Sequence, residues 1–420
     1  MNKDEHFTYD FRSMINILML NSLGFFFLDF LIYYFTSQIL NASGLQVGLI
    51  FSLNLFGNIL SSTFTGIITD RVKSKTKLIL IGSFGRGIAY IIFYFALFYN
   101  SLPGIYIGHF SLGFFVGFFW IPFNTLIAQK SHKNHRSQAF GRKEAAVGRG
   151  LLIGSIFGFI IFNFTISFTD NPLIIYSAIP LFGIANFYAG IKLIREVDES
   201  IKISEDNSQN DITKQVLKKN FARKMIFGLI FISIVLLLAN TNGSLSRPFL
   251  NFYLLEVITN DPWLASMAYL PAGIISMLLA PKLGKFVDRI KPELGISIAS
   301  IIGAITTWFL INTDNFIIFS ILLTLDVTIV QTANLVVQNL LSRITLTHRG
   351  KIFSGFQLFM GIGSIIGPII GGLAWDYISI TAPFIISIVV ELCLIPFYII
   401  AVLFIKPILK ETYRDKDKLN

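Results

Sequence analysis

Apolar residues occupy the chain in long uninterrupted runs rather than in alternating or one-faced stripes. Asp29 is the only charged residue between positions 14 and 69, and none occurs between positions 88 and 129. Two further runs, 150–191 and 352–405, contain only one and two acidic residues, respectively. Because about 20 apolar residues cross a bilayer as a helix, each run is long enough for two membrane helices.

Turn residues and charges divide these runs into twelve predicted helices. Short breakers at 100–104 and 169–172, which combine Pro with Asn, Gly or Asp, indicate tight hairpins. The sequence therefore predicts an all-α integral membrane protein. The predicted spans are 14–37, 45–69, 77–99, 103–129, 145–166, 172–194, 224–255, 263–286, 293–312, 315–342, 353–375 and 381–405.

The composition supports the same fold class. Of 420 residues, 54% are hydrophobic and 14% are charged, whereas about a quarter of a soluble domain is charged. This excludes a soluble enzyme, a nucleic-acid-binding protein and a disordered scaffold. The single cysteine, Cys393, cannot form a disulfide within the chain or a metal cluster of its own. The first apolar run lacks a signal-peptide cleavage site and is interpreted as the first span.

The basic residues predict the orientation. All Lys and Arg except Arg86 and Arg247 fall in or next to the N-terminus, the C-terminus and the loops that follow even-numbered helices. Because basic loops stay on the cytoplasmic side, both termini are predicted to be cytoplasmic, in a cell membrane. The net charge of +10 is therefore a topology signal.

One hydrophilic stretch divides the chain into two groups of six helices. It is rich in charges and Asn and contains few aromatic residues, as a solvated linker would be. The predicted domains are a first bundle at 1–195, a cytoplasmic linker at 196–223 and a second bundle with a short tail at 224–420.

The two groups of helices repeat each other. The pattern G-x-x-x-D-R-x-K follows the second predicted helix and recurs 218 residues later, after the eighth. A second match, Arg136 to Phe140 against Arg349 to Phe353, opens the fifth and eleventh helices at nearly the same offset. Two matches at equivalent places indicate a duplicated six-helix unit. The matching motif residues are Gly66, Asp70, Arg71, Gly284, Asp288 and Arg289.

With these motifs, the chain resembles the major facilitator superfamily of secondary transporters along essentially its whole length. The family signature between helices two and three, G-x-x-x-D-R-x-G-R-[RK], matches at Gly66, Asp70 and Arg71, whereas Lys73 replaces the second Gly. The resemblance implies two pseudo-symmetric six-helix bundles around a central cavity, a monomer in the lipid bilayer, and transport by alternating access.

The resemblance also implies a conformational switch at this motif. Gly66 is expected to let two helices approach closely. Asp70 ends a helix, where the negative end of the dipole disfavours a carboxylate unless a cation or another helix N-terminus compensates it. We expect Asp70 and Arg71 to form a latch that breaks when the transporter switches. In the eleventh helix, small residues predict close helix packing: Gly363, Gly367, Pro368 and Gly371.

Asp29 is the leading candidate for proton or cation binding. No phosphate-binding loop occurs, so energy must come from an ion gradient or from the substrate's own gradient. A charge at the bilayer centre costs about 2.5–3.5 kcal/mol on insertion scales and therefore requires a reason. Ser22, Phe26 and Tyr33 share the helix face of Asp29 and are predicted to line the cavity. No cofactor and no metal site is predicted.

The seventh and tenth helices carry two further polar faces. Arg247 lies beside Pro248 and is predicted to bind an anionic substrate group or to hold Asp29 until a proton replaces it. Asp326 is a candidate for proton coupling or substrate contact. On a straight helix it points away from the polar face of the tenth helix, so pairing within the second bundle is the alternative. Predicted lining residues are Asn240, Ser244 and Asn251, with Thr324, Thr328, Gln331, Asn334 and Gln338. Arg86, His109 and Glu391 are expected to serve packing or pairing within a bundle.

Two motifs of drug–proton antiporters depart from their family pattern. The fourth helix lacks R-x-x-Q-G, and G-x-x-x-G-P-x-x-G-G occurs in the eleventh helix instead of the fifth. Aromatic residues with few charges in the predicted cavity helices favour a hydrophobic cargo. We expect a proton-coupled exporter of a hydrophobic or amphipathic small molecule. The alternatives are an uptake symporter for a sugar, organic acid or other metabolite, and a non-transporting membrane enzyme or receptor.

Overall fold

A computed structural model describes residues 6–72, 74–132, 135–201, 219–287, 290–342 and 349–405. The described chain is almost entirely helical, as predicted. The α-helices are α1 (Phe11–Asn21), α2 (Phe25–Tyr34), α3 (Gly44–Arg71), α4 (Lys75–Phe98), α5 (Leu102–Gln129), α6 (Arg136–Phe168), α7 (Pro172–Ile175), α8 (Ala178–Glu196), α9 (Lys219–Tyr253), α10 (Pro262–Val287), α11 (Pro292–Leu310), α12 (Phe316–Ser342), α13 (Arg349–Tyr377) and α14 (Ala382–Ile405).

Ten helical segments of the described chain are long and apolar enough to cross a membrane. The first runs from Phe11 to Ile39 and includes both α1 and α2. Of the other two predicted spans, α8 carries three charged residues in its last five positions, and the described apolar part of α10 covers only Trp263–Ile275. Many large apolar side chains on these helices are exposed, such as Ile317 and Phe309, as expected for surfaces that face lipid.

Several boundaries differ from the predicted ones. The helix predicted at 14–37 is interrupted between Asn21 and Phe25, where Gly24 adopts φ +76°. Left-handed backbone is easily adopted only by glycine, so the helix breaks at that residue. The helix α9 begins at Lys219, within the segment predicted as the linker at 196–223. Residues 202–218 lie outside the described part of the chain.

The first membrane helix of each predicted bundle ends in the same unusual turn. A π-helical turn, Phe35–Ile39, follows α2, and another, Leu254–Ile258, follows α9. The two turns lie 219 residues apart, close to the offset of the repeated sequence motifs. Single π-helical turns are rare, so their recurrence at equivalent positions extends the internal repeat from sequence to backbone conformation.

The chain forms two compact units. Unit 1 contains residues 1–42 and 49–211, and unit 2 contains residues 43–48 and 212–420. One apolar core in unit 1 joins α1, α4, α5, α6 and α8 around Met14, Leu18 and Phe123. The corresponding core in unit 2 joins α9, α12 and α14 around Leu236, Leu340 and Val402.

Buried polar bonds close one end of unit 1. Lys130 at the end of α5 and Asp10 before α1 form a salt bridge of 2.6 Å, and both side chains are 1% exposed. The Lys130 ammonium also donates to the carbonyl oxygen of Asp198, whose own N–H donates to Asp10. Glu199 accepts hydrogen bonds from the N–H groups of Lys75 and Thr76 at the start of α4. The segment after α8 is therefore fastened to unit 1.

Close backbone packing joins two helices of unit 2. Gly363, Gly367 and Gly371 follow one another at intervals of four along α13. A methyl group at any of them would collide with a carbonyl oxygen of α9. Small residues at this spacing let two helices approach to backbone distance, which favours their association in a membrane. The sequence predicted this close packing for α13, and α9 is the partner it lies against.

A short segment before the main part of α3 also belongs to unit 2. Within residues 43–48, the N–H groups of Gly44 and Leu45 donate to the Asp376 carboxylate at 2.6 and 2.8 Å. The carboxylate thus compensates the positive end of a helix dipole. Gly44 and Gly372 lie in direct backbone contact at the same place.

Candidate functional site

Asp29 borders a small cavity inside unit 1. The cavity has a volume of about 40 Å³. A cavity needs about 10–15 Å³ of such volume to hold one water molecule, so water can occupy this one. Its walls come from three helices, α2, α3 and α5: Phe25, Leu28, Asp29, Phe51, Asn54, His109 and Leu112.

Close packing of α3 and α5 brings two polar walls of this cavity together. A methyl group at Gly57 or Gly113 would collide with the backbone of the opposite helix. At this contact, the Asn54 amide donates to the carbonyl oxygen of His109 at 3.1 Å. Asn54 and His109 are therefore held in register on the two helices that face Asp29.

The His109 imidazole is buried and oriented by its own helix. Its Nδ1 lies 3.3 Å from the carbonyl oxygen of Ile105. A carbonyl oxygen can only accept, so this bond places a proton on Nδ1 and leaves Nε2 as the acceptor of the neutral ring. Phe51 and Phe93 pack edge-on against the ring. The imidazole thus borders the cavity with a fixed tautomer and restricted motion.

A second polar cluster holds the break in the first membrane helix. Arg86 on α4 is 3% exposed and donates to the side-chain and backbone oxygens of Asn21, the last residue of α1. Asn21 in turn donates to Ser83, one turn before Arg86, at 3.1 Å. A cation at the C-terminal end of a helix compensates the helix dipole. Arg86 therefore stabilises the C-terminal end of α1.

Tyr90 connects this cluster to Asp29. Its hydroxyl group lies 3.5 Å from the carbonyl oxygen of Leu23, inside the helix break. Tyr90 is close enough to both Arg86 and Asp29 for electrostatic interaction. Sequence reasoning missed Asn21, Asn54 and Tyr90. The available signal was weak: isolated polar residues in apolar runs, and the Ser83–Arg86–Tyr90 spacing that places all three on one face of α4.

The other predicted residues of the first membrane helix are distributed around the break. Ser22 lies inside it and donates to the carbonyl oxygen of Leu18 at 2.9 Å. Phe26 is half-buried, and Tyr33 is buried and stacks on Phe51 at 4.6 Å between ring centres. The helical-face argument assumed a continuous helix, so its placement of Ser22 on the face of Asp29 does not apply across Gly24.

The predicted polar stripe of α9 is mostly satisfied within unit 2. Asn240 donates to Leu236, and Ser244 donates to Asn240, each through the carbonyl oxygen four residues earlier. Ser244 also packs against Gly367 of α13. Arg247 is exposed, whereas the side-chain oxygen of Asn251 is buried without a hydrogen-bond partner in the described chain.

The predicted polar face of α12 is a ladder of internal bonds. Thr324 donates to Ser320, and Thr328 donates to Thr324, at 2.8 and 2.7 Å. Gln331 is half-buried and Asn334 is exposed. The side chain of Gln338 lies outside the described part of the structure. The threonine hydroxyls therefore need no other donor or acceptor within unit 2.

Three charged residues of unit 2 influence one another. Asp326 interacts electrostatically with Arg247 and with Glu391 of α14. Glu391 also accepts a hydrogen bond from Ser300 and lies beside Gly303 of α11. Asp326 therefore lies within electrostatic range of both Arg247 and Glu391.

The motif residues are only partly described. Gly66 lies in α3, but a methyl group there would meet no atom within 4 Å, so the expected close helix approach does not occur at this residue. Arg71 is exposed at the end of α3. Gly284 lies in α10. The side chain of Asp70, and Asp288 and Arg289 entirely, lie outside the described residues.

No group of three or more His, Cys, Asp or Glu in the described part of the chain has a metal-binding arrangement.

Outside the membrane helices, Glu199 is a carboxylate whose protonation the fold controls. Burial, the largest single influence, pushes the pKa of Glu199 up, but hydrogen bonds from Thr76, Lys75 and Ser74 together hold it below its usual value of 4.5.

Comparisons with known proteins agree on one family. The sequence model of the Major Facilitator Superfamily matches residues 14–345. The chain is 25% identical to the multidrug resistance protein MdtG of Escherichia coli O17:K52:H18 (strain UMN026 / ExPEC) over 357 residues, which cover 79% of this chain and 78% of MdtG.

Solved structures show the same fold. A bacterial homolog of the human lysosomal transporter Spinster has a TM-score of 0.75 and 13% identity, covering 98% of this chain and 100% of that one. The E. coli fucose:proton symporter FucP has a TM-score of 0.58 and 14% identity, covering 93% of this chain and 98% of that one.

Proposed function

Because the chain belongs to the Major Facilitator Superfamily, we propose that it is a secondary transporter that exports hydrophobic or amphipathic small molecules in exchange for protons. Members of such a family move small molecules across a lipid bilayer, and the similar proteins are transporters rather than enzymes. The sequence has no phosphate-binding loop, so an ion gradient is the energy source that fits. Alternating access between two six-helix bundles is the mechanism that fits the repeated sequence.

The position of Asp29 is the observation that carries the proton-coupling part of this proposal. Asp29 lies about 15 Å along the helix from Ile39, at 1.5 Å per residue, so it is near the middle of an apolar region about 30 Å thick. Asn54 and His109 border the same cavity as Asp29. A partly buried carboxylate beside other polar groups suits the binding of a proton.

The direction of transport is supported by sequence similarity. MdtG is named as a multidrug resistance protein, and the similarity extends over about four-fifths of both chains. Resistance to several drugs fits their export, and we infer the same direction of transport for this chain. The low charge of the predicted cavity helices is consistent with a cargo of the same kind.

An uptake symporter is the second candidate. The exposed Asn334 and the half-buried Gln331 on α12 offer hydrogen-bonding groups that suit a sugar or organic acid. Arg247 suits an acidic group of such a cargo, and Asp326 is its charged neighbour. We assign these four residues to cargo contact in either direction of transport.

The motif at the end of α3 supplies the proposed conformational switch. Asp70 ends a helix at which a carboxylate is unfavourable without compensation, and Arg71 follows it. Asp70→Asn is expected to slow transport while cargo binding stays unchanged. Equal turnover in this variant and the unaltered protein would remove the latch from the mechanism.

We place both termini in the cytoplasm, the protein in the cell membrane, and expect a monomer.

Transport assays in liposomes test the proposal directly. Purified protein is reconstituted, an inward or outward pH gradient is imposed, and a panel of labelled solutes is offered. The panel contains a lipophilic cation, a neutral amphiphile, an anionic amphiphile, a hexose and a small organic acid. Protein-free liposomes serve as the control for leakage of the amphiphiles.

The expected result is that an amphiphile moves against its own concentration gradient, in the direction opposite to the flow of protons. Movement of the hexose or the acid in the same direction as protons would replace export by symport. Chemical conversion of a solute without its movement would instead reveal a membrane enzyme, and binding of a solute without either would indicate a receptor.

A further inference from the structure

The helix break between α1 and α2 frees backbone carbonyl groups inside a membrane-spanning segment. In a continuous helix, the carbonyl oxygen of Asn21 would accept from the N–H of Phe25. In unit 1 it accepts from the Arg86 guanidinium of α4 at 3.2 Å, and a second N–H of the same guanidinium donates to the Asn21 side chain. Because unsatisfied backbone groups are costly where water is scarce, this contact stabilises the break.

Tyr90, one turn after Arg86 on α4, meets a second carbonyl group of the break. Its hydroxyl lies 3.5 Å from the carbonyl oxygen of Leu23. In a continuous helix, that oxygen would accept from the N–H of Phe27. Two side chains of α4 thus occupy the places of two helix N–H groups, so the break is maintained by a neighbouring helix.

Packing encloses the break on other sides. A methyl group at Gly154 of α6 would lie 2.2 Å from the backbone nitrogen of Gly24, and the Phe182 ring of α8 fills the space beside Gly24. The helix α1 is itself held in the apolar core of unit 1. With α1 fixed, the orientation of α2 is set at the break, and Asp29 follows Gly24 by only five residues.

We propose that Arg86 and Tyr90 are positioning residues for proton binding: they hold the helix break open and thereby keep Asp29 on the wall of its polar cavity. Asp29 borders that cavity together with Asn54 and His109. Tyr90 lies within electrostatic range of both Arg86 and Asp29. In this role Arg86 and Tyr90 neither carry the coupled proton nor contact cargo. The inference rests on the proposed function, because it names what positions the proton-binding carboxylate.

The helices around Asp29 carry few other titratable or charged groups. The helix α3 has none before Asp70, α6 has none after Arg149, and α8 has none before Tyr188. The variants described below leave His109 and its polar neighbour Asn54 in place. Apart from residues near helix ends, the groups on α2, α4 and α5 are Tyr33, Tyr34, Arg86, Tyr90, Tyr94, Tyr106 and His109.

Proton binding at Asp29 tests the proposal without any cargo. Dicyclohexylcarbodiimide reacts with protonated carboxyl groups in apolar surroundings, and mass spectrometry of peptides quantifies the label at Asp29 from pH 5 to pH 9. The purified full-length protein is compared with Arg86→Gln and Tyr90→Phe. The melting temperature in detergent reports whether each variant is folded.

Each variant has a matched control in unit 1. Arg149→Gln removes an exposed guanidinium that donates to the carbonyl oxygen of Ala145 in its own helix at 3.1 Å. Tyr94→Phe removes a hydroxyl that also donates to a carbonyl oxygen, that of Leu173 at 2.8 Å, which lies on α7 instead of at the break. Neither control should change the pH at which Asp29 is half-labelled.

We expect half-labelling of Asp29 to move up by about one pH unit in Arg86→Gln, a tenfold gain in proton affinity. Without the guanidinium, α1 continues towards α2 and Asp29 turns away from Asn54 and His109. A carboxylate in less polar surroundings binds a proton more tightly. A midpoint that is unchanged or lower in Arg86→Gln, compared with Arg149→Gln, would overturn the proposal.

Tyr90→Phe separates position from charge, because it removes a hydroxyl and leaves Arg86 in place. We expect a smaller upward shift, about threefold in proton affinity, since the bond to Leu23 is long. If Tyr90→Phe titrates like Tyr94→Phe, the positional explanation is wrong, and the effect of Arg86→Gln is one of charge alone.

A double variant keeps the test decisive if Arg86→Gln does not fold. Arg86→Met combined with Asn21→Leu removes both partners of the buried contact, which costs less than leaving one of them unsatisfied. We expect the same upward shift of the Asp29 midpoint. A folded double variant that titrates like the unaltered protein would reject the proposal.

The outcomes separate this inference from the proposed function. Shifted midpoints in the variants without any transport in liposomes would reject the transporter and retain the positioning role. Proton-coupled transport with unshifted midpoints would retain the transporter and reject the positioning role.

Discussion

The first membrane helices of the two units share an Asn-x-x-Gly pattern, with Ser or Thr after the Asn, but differ in backbone conformation there. Asn21-Ser22-Leu23-Gly24 in unit 1 and Asn240-Thr241-Asn242-Gly243 in unit 2 lie 219 residues apart. In unit 1 the helix breaks at this place, and Gly24 has φ +76°. In unit 2 the helix α9 runs through it without interruption.

The partners of the asparagine explain the difference. Asn21, the last residue of α1, accepts hydrogen bonds from the buried Arg86 of α4. Asn240 instead donates to Leu236 within its own helix. The helix that corresponds to α4 in unit 2 is α11, and it contains no Lys or Arg between Pro292 and Leu310. The helix is therefore interrupted in unit 1, where a neighbouring helix supplies a buried cation, and continuous in unit 2, where α11 supplies none.

The units also differ in their buried polar contacts. Unit 1 has the Arg86 contact at the helix break and the Lys130–Asp10 pair at one end. Glycine contacts pack helices in both units, α3 against α5 in unit 1 and α9 against α13 in unit 2. We propose that unit 1 carries the proton-binding carboxylate, Asp29.

Asp29→Asn is expected to have the largest effect. Without the titratable carboxylate, proton-driven accumulation of cargo should fall by about a hundredfold or more, the range for loss of an acid–base group. Cargo binding, measured by fluorescence quenching, should stay within a factor of two or three. The matched variant in unit 2 is Asp326→Asn, which should reduce accumulation less. Equal losses in the two variants would erase the proposed division between the units.

Lys130→Met should destabilise unit 1 strongly. It leaves Asp10 buried without its partner, and breaking one side of a buried pair costs about 3–5 kcal/mol. The control is Lys192→Met, which removes a partly exposed pair with Glu196 at 3.6 Å and should cost less than about 1 kcal/mol. Thermal unfolding in detergent compares the two variants. Similar melting temperatures would show that unit 1 does not depend on the buried pair.

Gly367→Ala tests the packing of unit 2. A methyl group there would collide with Thr241 and Ser244 of α9, and overpacking of this kind costs about 1–3 kcal/mol. Gly243→Ala is the control, since nothing lies within 4 Å of a methyl group at that position. The control should gain about 0.5–1 kcal/mol of helix stability. Indistinguishable unfolding of the two variants would contradict the account of the α9–α13 contact.

Gly24→Ala addresses the helix break itself. Alanine in the left-handed region costs about 1–2 kcal/mol, and the new methyl group would also overlap the Phe182 ring. The equivalent variant in unit 2 is again Gly243→Ala, so one control serves both comparisons. We expect a lower melting temperature for Gly24→Ala only. If both variants are stabilised, the first helix is continuous like α9.

Glu199→Gln should give the smallest effect. Because the pKa of Glu199 is held below its usual value, the carboxylate contributes stability above that value and loses it as the pH falls through the lower, folded pKa. Glu199 is partly exposed, so solvent screening keeps the contribution below about 1 kcal/mol. The variant should melt at a lower temperature than the unaltered protein at pH 7, and this difference should be smaller at pH 4. A constant difference at both values would exclude the carboxylate as its source.

Hydrophobic runs and turn residues predict the helical fold and most helix positions, because crossing a bilayer constrains a sequence strongly. They do not predict the break at Gly24, because the Asn-Ser-Leu-Gly signal is weak without knowledge of Arg86. For His109 they predict only a packing role, since a pattern along one helix cannot show that α2 and α3 place a carboxylate and an amide beside it. The motif predicts a close helix contact at Gly66. The close contact between α3 and α5 is instead formed by Gly57 of α3 and Gly113 of α5.

Proton movement during transport is the most direct test of the central claim. Liposomes that contain the protein and a trapped pH-sensitive dye start without a pH gradient, and a transported amphiphile is added on one side. We expect the inner pH to change as the cargo moves, and no change with Asp29→Asn. Cargo movement by the unaltered protein at constant inner pH, in liposomes that hold an imposed gradient, would contradict the account.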